Sequence, residues 1–148
     1  MKVYLDTCSL HRPLDSKTQI RIMLEAEAIL GIIGFCEAGQ LELVSSEVLV
    51  FEVNRNPQII RREFGLEVLS KASSFVPLNP QIEQRAGVLN NLGLKPLDAL
   101  HLASAEEIQA DYFCTCDDKL LKKAKAVGGV KTKVVSPLEL IEEIERWS

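Results

Sequence analysis

A three-layer α/β/α domain around a parallel sheet of about five strands is the fold class that the sequence predicts, and three observations predict it. Short apolar runs of strand length recur along the chain. Between them lie longer segments whose apolar residues fall at helical spacing, and strands alternating with helices imply a mostly parallel sheet covered on both faces. No repeat, low-complexity tract or linker divides the 148 residues, so a single domain, 1–148, is expected.

The first strand is Val3-Tyr4-Leu5 in "MKVYLDTCSL", expected over 2–5, and it runs directly into Asp6, Thr7 and Ser9. Ile22, Leu24, Ala28, Ile29, Ile32, Ile33 and Phe35 then predict a long, deeply buried helix that ends near Gly39. A second strand is expected over 41–44. The apolar run Val48, Leu49, Val50, Phe51 and Val53, interrupted by Glu52, predicts a short helix after it. Helices over about 57–73 and 79–92 flank a third strand at 74–77, the second helix stopping at Gly93. Pro96 opens another helix through Asp98, Leu100, His101, Leu102 and Ala105. A fourth strand at 111–115 leads to Asp117 and a short helix. A fifth strand at 133–135 precedes a last helix opened by Pro137.

Composition narrows the function. With 47% hydrophobic and 26% charged residues the chain has an ordinary globular composition. A formal charge of −4 argues against gripping nucleic acid through net charge, while a cluster of catalytic carboxylates would itself supply negative charge. Cys8, Cys36, Cys114 and Cys116 show neither zinc half-site spacing nor disulfide density, so Cys114 and Cys116 are read as small core residues. The N-terminus reads as a strand rather than a signal peptide, and the longest uncharged apolar stretch, 28–36, is too short for a membrane span. A cytoplasmic protein with reduced thiols is therefore expected.

In a parallel sheet the ligand site lies beyond the carboxyl ends of the strands. Asp6 and Asp117 each follow a strand, so both are expected at that edge. Each also has a plainer reading. Asp6 and Asp117 suit helix caps, and Asp98 suits the first turn of a helix, where it meets the dipole. Glu52 lies in an apolar run, where an ionised carboxylate needs a partner, and Arg55 is the nearest. Taken together, three Asp and one Glu at the ends or edges of buried elements suit a hard divalent cation such as Mg²⁺ or Mn²⁺. Such an ion acidifies a bound water and neutralises charge on a phosphoryl group.

"VYLDTCSL", "SSEVLVFEV", "KPLDALHLASA" and "YFCTCDDKLLKKA", in this order, resemble the PIN-domain nucleases, most closely the single-domain toxins of the VapC family. The resemblance covers essentially the whole chain. It implies that Asp6, Glu52, Asp98 and Asp117 occupy the family's four acidic positions, with Thr115 two residues before the last. Asp6 and Asp98 would be direct metal ligands, and Glu52 and Asp117 would complete the site, with Thr115 and Ser9 orienting acids or waters. Glu47 is a rival for Glu52, and Asp118 for Asp117. That Asp98 reaches the same edge as Asp6 is implied by the family fold alone. The implied activity is metal-dependent cleavage of RNA, restrained by a small antitoxin.

His101 is read as a hydrogen-bonded structural histidine one helical turn after Asp98. Lys119, Lys122, Lys123, Lys125, Lys131 and Lys133 form a basic run with no acid until Glu139. Lys119, Lys122 and Lys123, with Arg12 and Lys17, are candidates for RNA phosphate contacts. A homodimer is expected from the family likeness and the very apolar 29–35 helix. A phosphatase and a non-catalytic PIN-like RNA-binding module remain alternatives. The first lacks an Asp-x-Asp pair, since Cys8 follows Thr7, and the second is disfavoured by the full set of acids.

Overall fold

The computed structural model of the chain describes residues 1–147. Its five strands are β1 (Lys2–Leu5), β2 (Glu42–Ser46), β3 (Ser74–Val76), β4 (Tyr112–Cys114) and β5 (Lys133–Val135). They form one sheet in the order β3-β2-β1-β4-β5, with every neighbouring pair parallel. The helices are α1 (Thr7–His11), α2 (Ile20–Glu37), α3 (Glu47–Asn54), α4 (Ile59–Ser70), α5 (Pro80–Asn91), α6 (Pro96–Glu107), α7 (Asp118–Ala126) and α8 (Pro137–Trp147). The three-layer α/β/α expectation holds. None of these helices is long and apolar enough to cross a membrane, among the described residues.

The central strand shows why the sheet is covered on both sides. Successive strand residues face opposite ways, yet Val3, Tyr4 and Leu5 are each fully buried. Tyr4 stacks on Phe113 of β4 with ring centroids 5.4 Å apart. The chain builds β1, β2 and β3 toward one edge, then crosses back to lay β4 and β5 on the other side of β1. The strand order therefore reverses between β1 and β4, which makes their carboxyl ends the switch point where such sheets bind ligands. The α5–α6 hairpin carries the first turn of α6 to that edge, with Gly93 at φ 112° in the turn between them.

One expectation is corrected, and one segment has no assignment from the sequence. Helix α2 is not deeply buried: Ala26, Ile29, Ile32 and Ile33 face inward, while Ile20, Met23, Leu24, Leu30 and Phe35 are exposed. A helix lying on a sheet covers one stripe only, whatever its composition. The segment "TCSLHRPL" folds as α1 and a 3-10 turn, Arg12–Leu14. Its start is fixed by the Asp6 cap rather than by apolar periodicity.

Candidate active site

Asp6 leaves the end of β1, and its backbone N–H donates to the Cys114 carbonyl at 3.1 Å, tying it to β4. Its Oδ1 accepts from the Ser9 amide at 3.0 Å and from the Cys8 thiol at 3.1 Å. Burial pushes the Asp6 carboxyl above its ordinary range, opposed by hydrogen bonds from Thr115, Cys8 and Ser9 and by His101. Asp117 follows β4 and caps α7, its Oδ1 accepting from the amides of Lys119 at 2.9 Å and Leu120 at 3.2 Å. Thr115 is buried between the two acids, its hydroxyl accepting from the Asp117 amide at 3.1 Å.

Glu52 projects from α3, and both of its hydrogen bonds fall on Oε1. Thr7 donates one, and His101 Nε2 supplies the other at 2.8 Å. Behind His101 the chain continues: its Nδ1 lies 2.7 Å from the Tyr4 hydroxyl, which lies 2.7 Å from Ser46 Oγ. Ser46 Oγ also accepts from the Leu49 amide at 3.0 Å. Donors and acceptors alternate without conflict if His101 carries its proton on Nε2 and Tyr4 donates to Nδ1. Burial raises the Glu52 carboxyl, but the His101 and Thr7 hydrogen bonds outweigh it, so the net shift is downward. Arg55 forms no ion pair with Glu52. Its guanidinium lies over the Phe51 ring, 5.2 Å from the centroid.

Asp98 is the third residue of α6, half-buried, with no hydrogen-bond donor among the described residues. Burial raises its carboxyl, and the negative charges of Asp6, Asp117 and Glu52 raise it further, opposed by His101. Asp98 and Asp117 line one small cavity with Lys119 and Lys123. The structure thus brings Asp6, Glu52, Asp98 and Asp117 to one edge. The cap readings of Asp6 and Asp117 hold, and a capping carboxylate still has a second oxygen to spare. Asp117 Oδ2 has no hydrogen-bond partner among the described residues.

The donor set fits Mg²⁺ or Mn²⁺: hard carboxylate oxygens, one of them half-buried with like charges around it and no donor of its own. Among the described residues no three His, Cys, Asp or Glu side chains are grouped tightly enough to hold one ion together. Mg²⁺ commonly takes one or two carboxylates and fills its remaining positions with water and substrate oxygens.

The remaining candidates separate clearly. Glu47 is engaged away from the acids, accepting from the Leu78 amide at 3.0 Å. Asp118 is exposed and paired with Arg21. Arg12 is drawn into ion pairs with Asp15 at 2.9 Å and Glu25 at 3.3 Å, and Lys17 Nζ donates to the Pro13 carbonyl at 2.6 Å. Lys125 and Lys133 pair with Glu139 and Glu143 of α8. Lys119, Lys122 and Lys123 are exposed and form no ion pair among the described residues. The Ser9 hydroxyl donates to the Cys114 carbonyl at 3.1 Å, so Ser9 holds Asp6 through its amide alone. Sequence reasoning missed Tyr4 and Ser46, whose pairing across 42 residues leaves no local signal.

A family model described as the PIN domain matches residues 3–126. No curated protein matches the chain in sequence. Among solved structures, VapBC2 from Rickettsia felis, bound to a DNA fragment from their promoter, is similar at 12% identity and a TM-score of 0.56, covering 92% of this chain and 98% of that one. VapBC-1 from nontypeable Haemophilus influenzae aligns at 17% identity and 0.56, covering 93% and 99%. PAE2754 from Pyrobaculum aerophilum aligns at 16% identity and 0.57, covering 99% and 90%. At these identities the likeness is one of fold, and it is the family model, reaching from β1 through α7, that shows the chain belongs to the PIN domain family.

Proposed function

We infer that the chain is a metal-dependent endoribonuclease, the toxin of a VapBC-type pair acting in the cytoplasm. The observation that carries this reading is Asp98, a half-buried carboxylate with no donor among the described residues, set among the charges of Asp6, Asp117 and Glu52 at the switch point of the sheet. Such a grouping is repulsive unless a cation joins it. Likeness to PIN proteins crystallised as VapBC complexes supports an antitoxin partner. The exposed apolar residues of α2 support a homodimer.

In this reading Asp6 and Asp98 would hold Mg²⁺ or Mn²⁺ directly, and Glu52 and Asp117 would complete the site through water or a second ion. When bound, the ion supplies a more acidic water and charge neutralisation on the scissile phosphate. Glu52 stays ionised because His101 and Thr7 hold Oε1, and Oε2 accepts a hydrogen bond from the attacking water and orients it. Thr115 fixes the spacing between the ends of β1 and β4. Lys119, Lys122 and Lys123 contact the RNA backbone.

Cleavage of defined RNAs tests this. Mg²⁺ or Mn²⁺ should support it, EDTA should abolish it, and Asp6→Asn should lower kcat at least ~100-fold, comparable to losing one strong electrostatic contact in the transition state. Cleavage that persists in excess EDTA rejects the metal mechanism.

A further inference from the structure

The acids have basic ground on two sides, and only one side belongs to the lysine helix. On the other lies a cavity of about 370 Å³ lined by Thr7, Glu52, Arg55, Asn56, Gln58 and Arg61. Thr7 and Glu52 are hydrogen-bonded to each other, so this cavity shares a wall with the acid site. Its polar groups are unequally committed. Arg61 is paired with Asp15 at 2.8 Å. Asn56 Oδ1 accepts from the Gln58 amide at 2.9 Å, which leaves the Asn56 side-chain NH₂ unspent. The Gln58 side chain makes no capping bond to α4. Arg55 makes no ion pair among the described residues, although Glu52 is one helical turn away. Its guanidinium rests on Phe51, a phenylalanine 54% exposed. Arg55 and Phe51 are both exposed, and a guanidinium with no ion pair beside an exposed ring offers a planar cation and an aromatic face, a platform on which a nucleobase can stack.

We propose that this cavity is a nucleotide subsite for single-stranded nucleic acid, in which a base flanking the scissile phosphate stacks on the Arg55 guanidinium beside Phe51. The Asn56 and Gln58 amides hydrogen-bond the edge of that base, and the strand then crosses the acids toward Lys119 and Lys123. Paired bases cannot use the platform, because their faces are already covered in the duplex. The orientation of the strand rests on the nuclease reading above; the subsite itself does not.

The test is binding of a short labelled oligoribonucleotide to the Asp6→Asn protein in EDTA, where nothing is cleaved. Arg55→Ala and Phe51→Ala should each weaken binding about tenfold, the size of one lost base–side-chain stack. Arg55→Lys, which keeps the charge but not the plane, should bind nearly as poorly as Arg55→Ala. Lys71→Ala, an exposed site paired with Glu37, should leave binding unchanged. Unchanged melting temperatures certify that the variants fold. Unaltered binding by Arg55→Ala, full rescue by lysine, equal Arg55 dependence with a duplex, or no binding of any oligonucleotide each overturns the subsite. Cleavage is scored separately with wild-type Arg55. Metal-dependent cleavage without Arg55-dependent binding sinks the subsite alone, and Arg55-dependent binding without cleavage sinks the nuclease reading alone.

Discussion

Asp6 and Asp117 each divide their work between structure and site: one oxygen caps a helix, and the carboxylate as a whole adds charge to the sheet edge. Asp98 has no such anchoring bond, and that makes it the sharper test. Asp6 and Asp98 are both raised, so the metal-free native state binds protons more readily than the unfolded chain does. Their ionisation therefore costs stability as pH rises through the window above the ordinary Asp value of about 3.9. Glu52, lowered, works in the opposite sense: its stabilisation is present at neutral pH and is lost as pH falls through its lowered value. In EDTA at neutral pH, Asp98→Asn should melt about 2–4 °C above wild type, roughly 1 kcal/mol after screening at a half-exposed position. The gap should close as pH falls through the raised Asp98 range and its carboxyl takes up a proton, and narrow or reverse in saturating Mg²⁺. Melts of both proteins across pH, with and without metal, decide it. A mutant that melts lower throughout returns Asp98 to a plain helix-end charge. Asp6 and Asp117 were legible in the sequence as residues that follow strands, whereas Asp98 and Glu52 lie on helices whose placement was not. Nor were the hydrogen bonds of Glu52, because His101 and Thr7 reach it from 49 and 45 residues away.

Strands and long helices were legible because each carries its own pattern, an apolar run or a helical spacing between turn residues. What faces what was not. The direction of α6, and hence the arrival of Asp98, depends on how the α5–α6 hairpin folds back. The exposed side of α2 looks as apolar in sequence as its buried side. Helix α4 meets α3 through a contact that only a glycine allows. A Cβ at Gly65 would fall 2.8 Å from Val53 Cγ1 and 3.1 Å from His11 Nε2. Gly65→Ala gains about 1 kcal/mol of helix propensity and loses roughly 1–3 kcal/mol to overpacking against a stiff Val. It should therefore melt lower than wild type, and a higher melting temperature would show that α3 and α4 can separate freely. On α7, replacing Lys119, Lys122 and Lys123 with Ala should raise KM and flatten its salt dependence with kcat little changed. Lost kcat with intact KM would mean that these lysines act on the transition state instead.

For the molecule as a whole, the five exposed apolar side chains Ile20, Met23, Leu24, Leu30 and Phe35 on α2 leave a surface that a second copy would cover. Light scattering should report a dimer of the 16.5 kDa chain, and Leu24→Glu with Leu30→Glu should shift it to monomer. A 16.5 kDa wild-type species at every practical concentration would refute the dimer. The sheet order carries a further consequence, in time rather than space. The two strands that frame the site are neighbours in the sheet but far apart in the chain: Val3 pairs with Tyr112, and the Lys2 amide meets the Asp111 carboxylate across 109 residues. A growing polypeptide that has folded β1, β2 and β3 still lacks Asp98, Asp117 and the strand that holds Asp6 in place. The acid site closes only after most of the chain has left the ribosome, so a nascent or truncated copy cannot gather all four carboxylates.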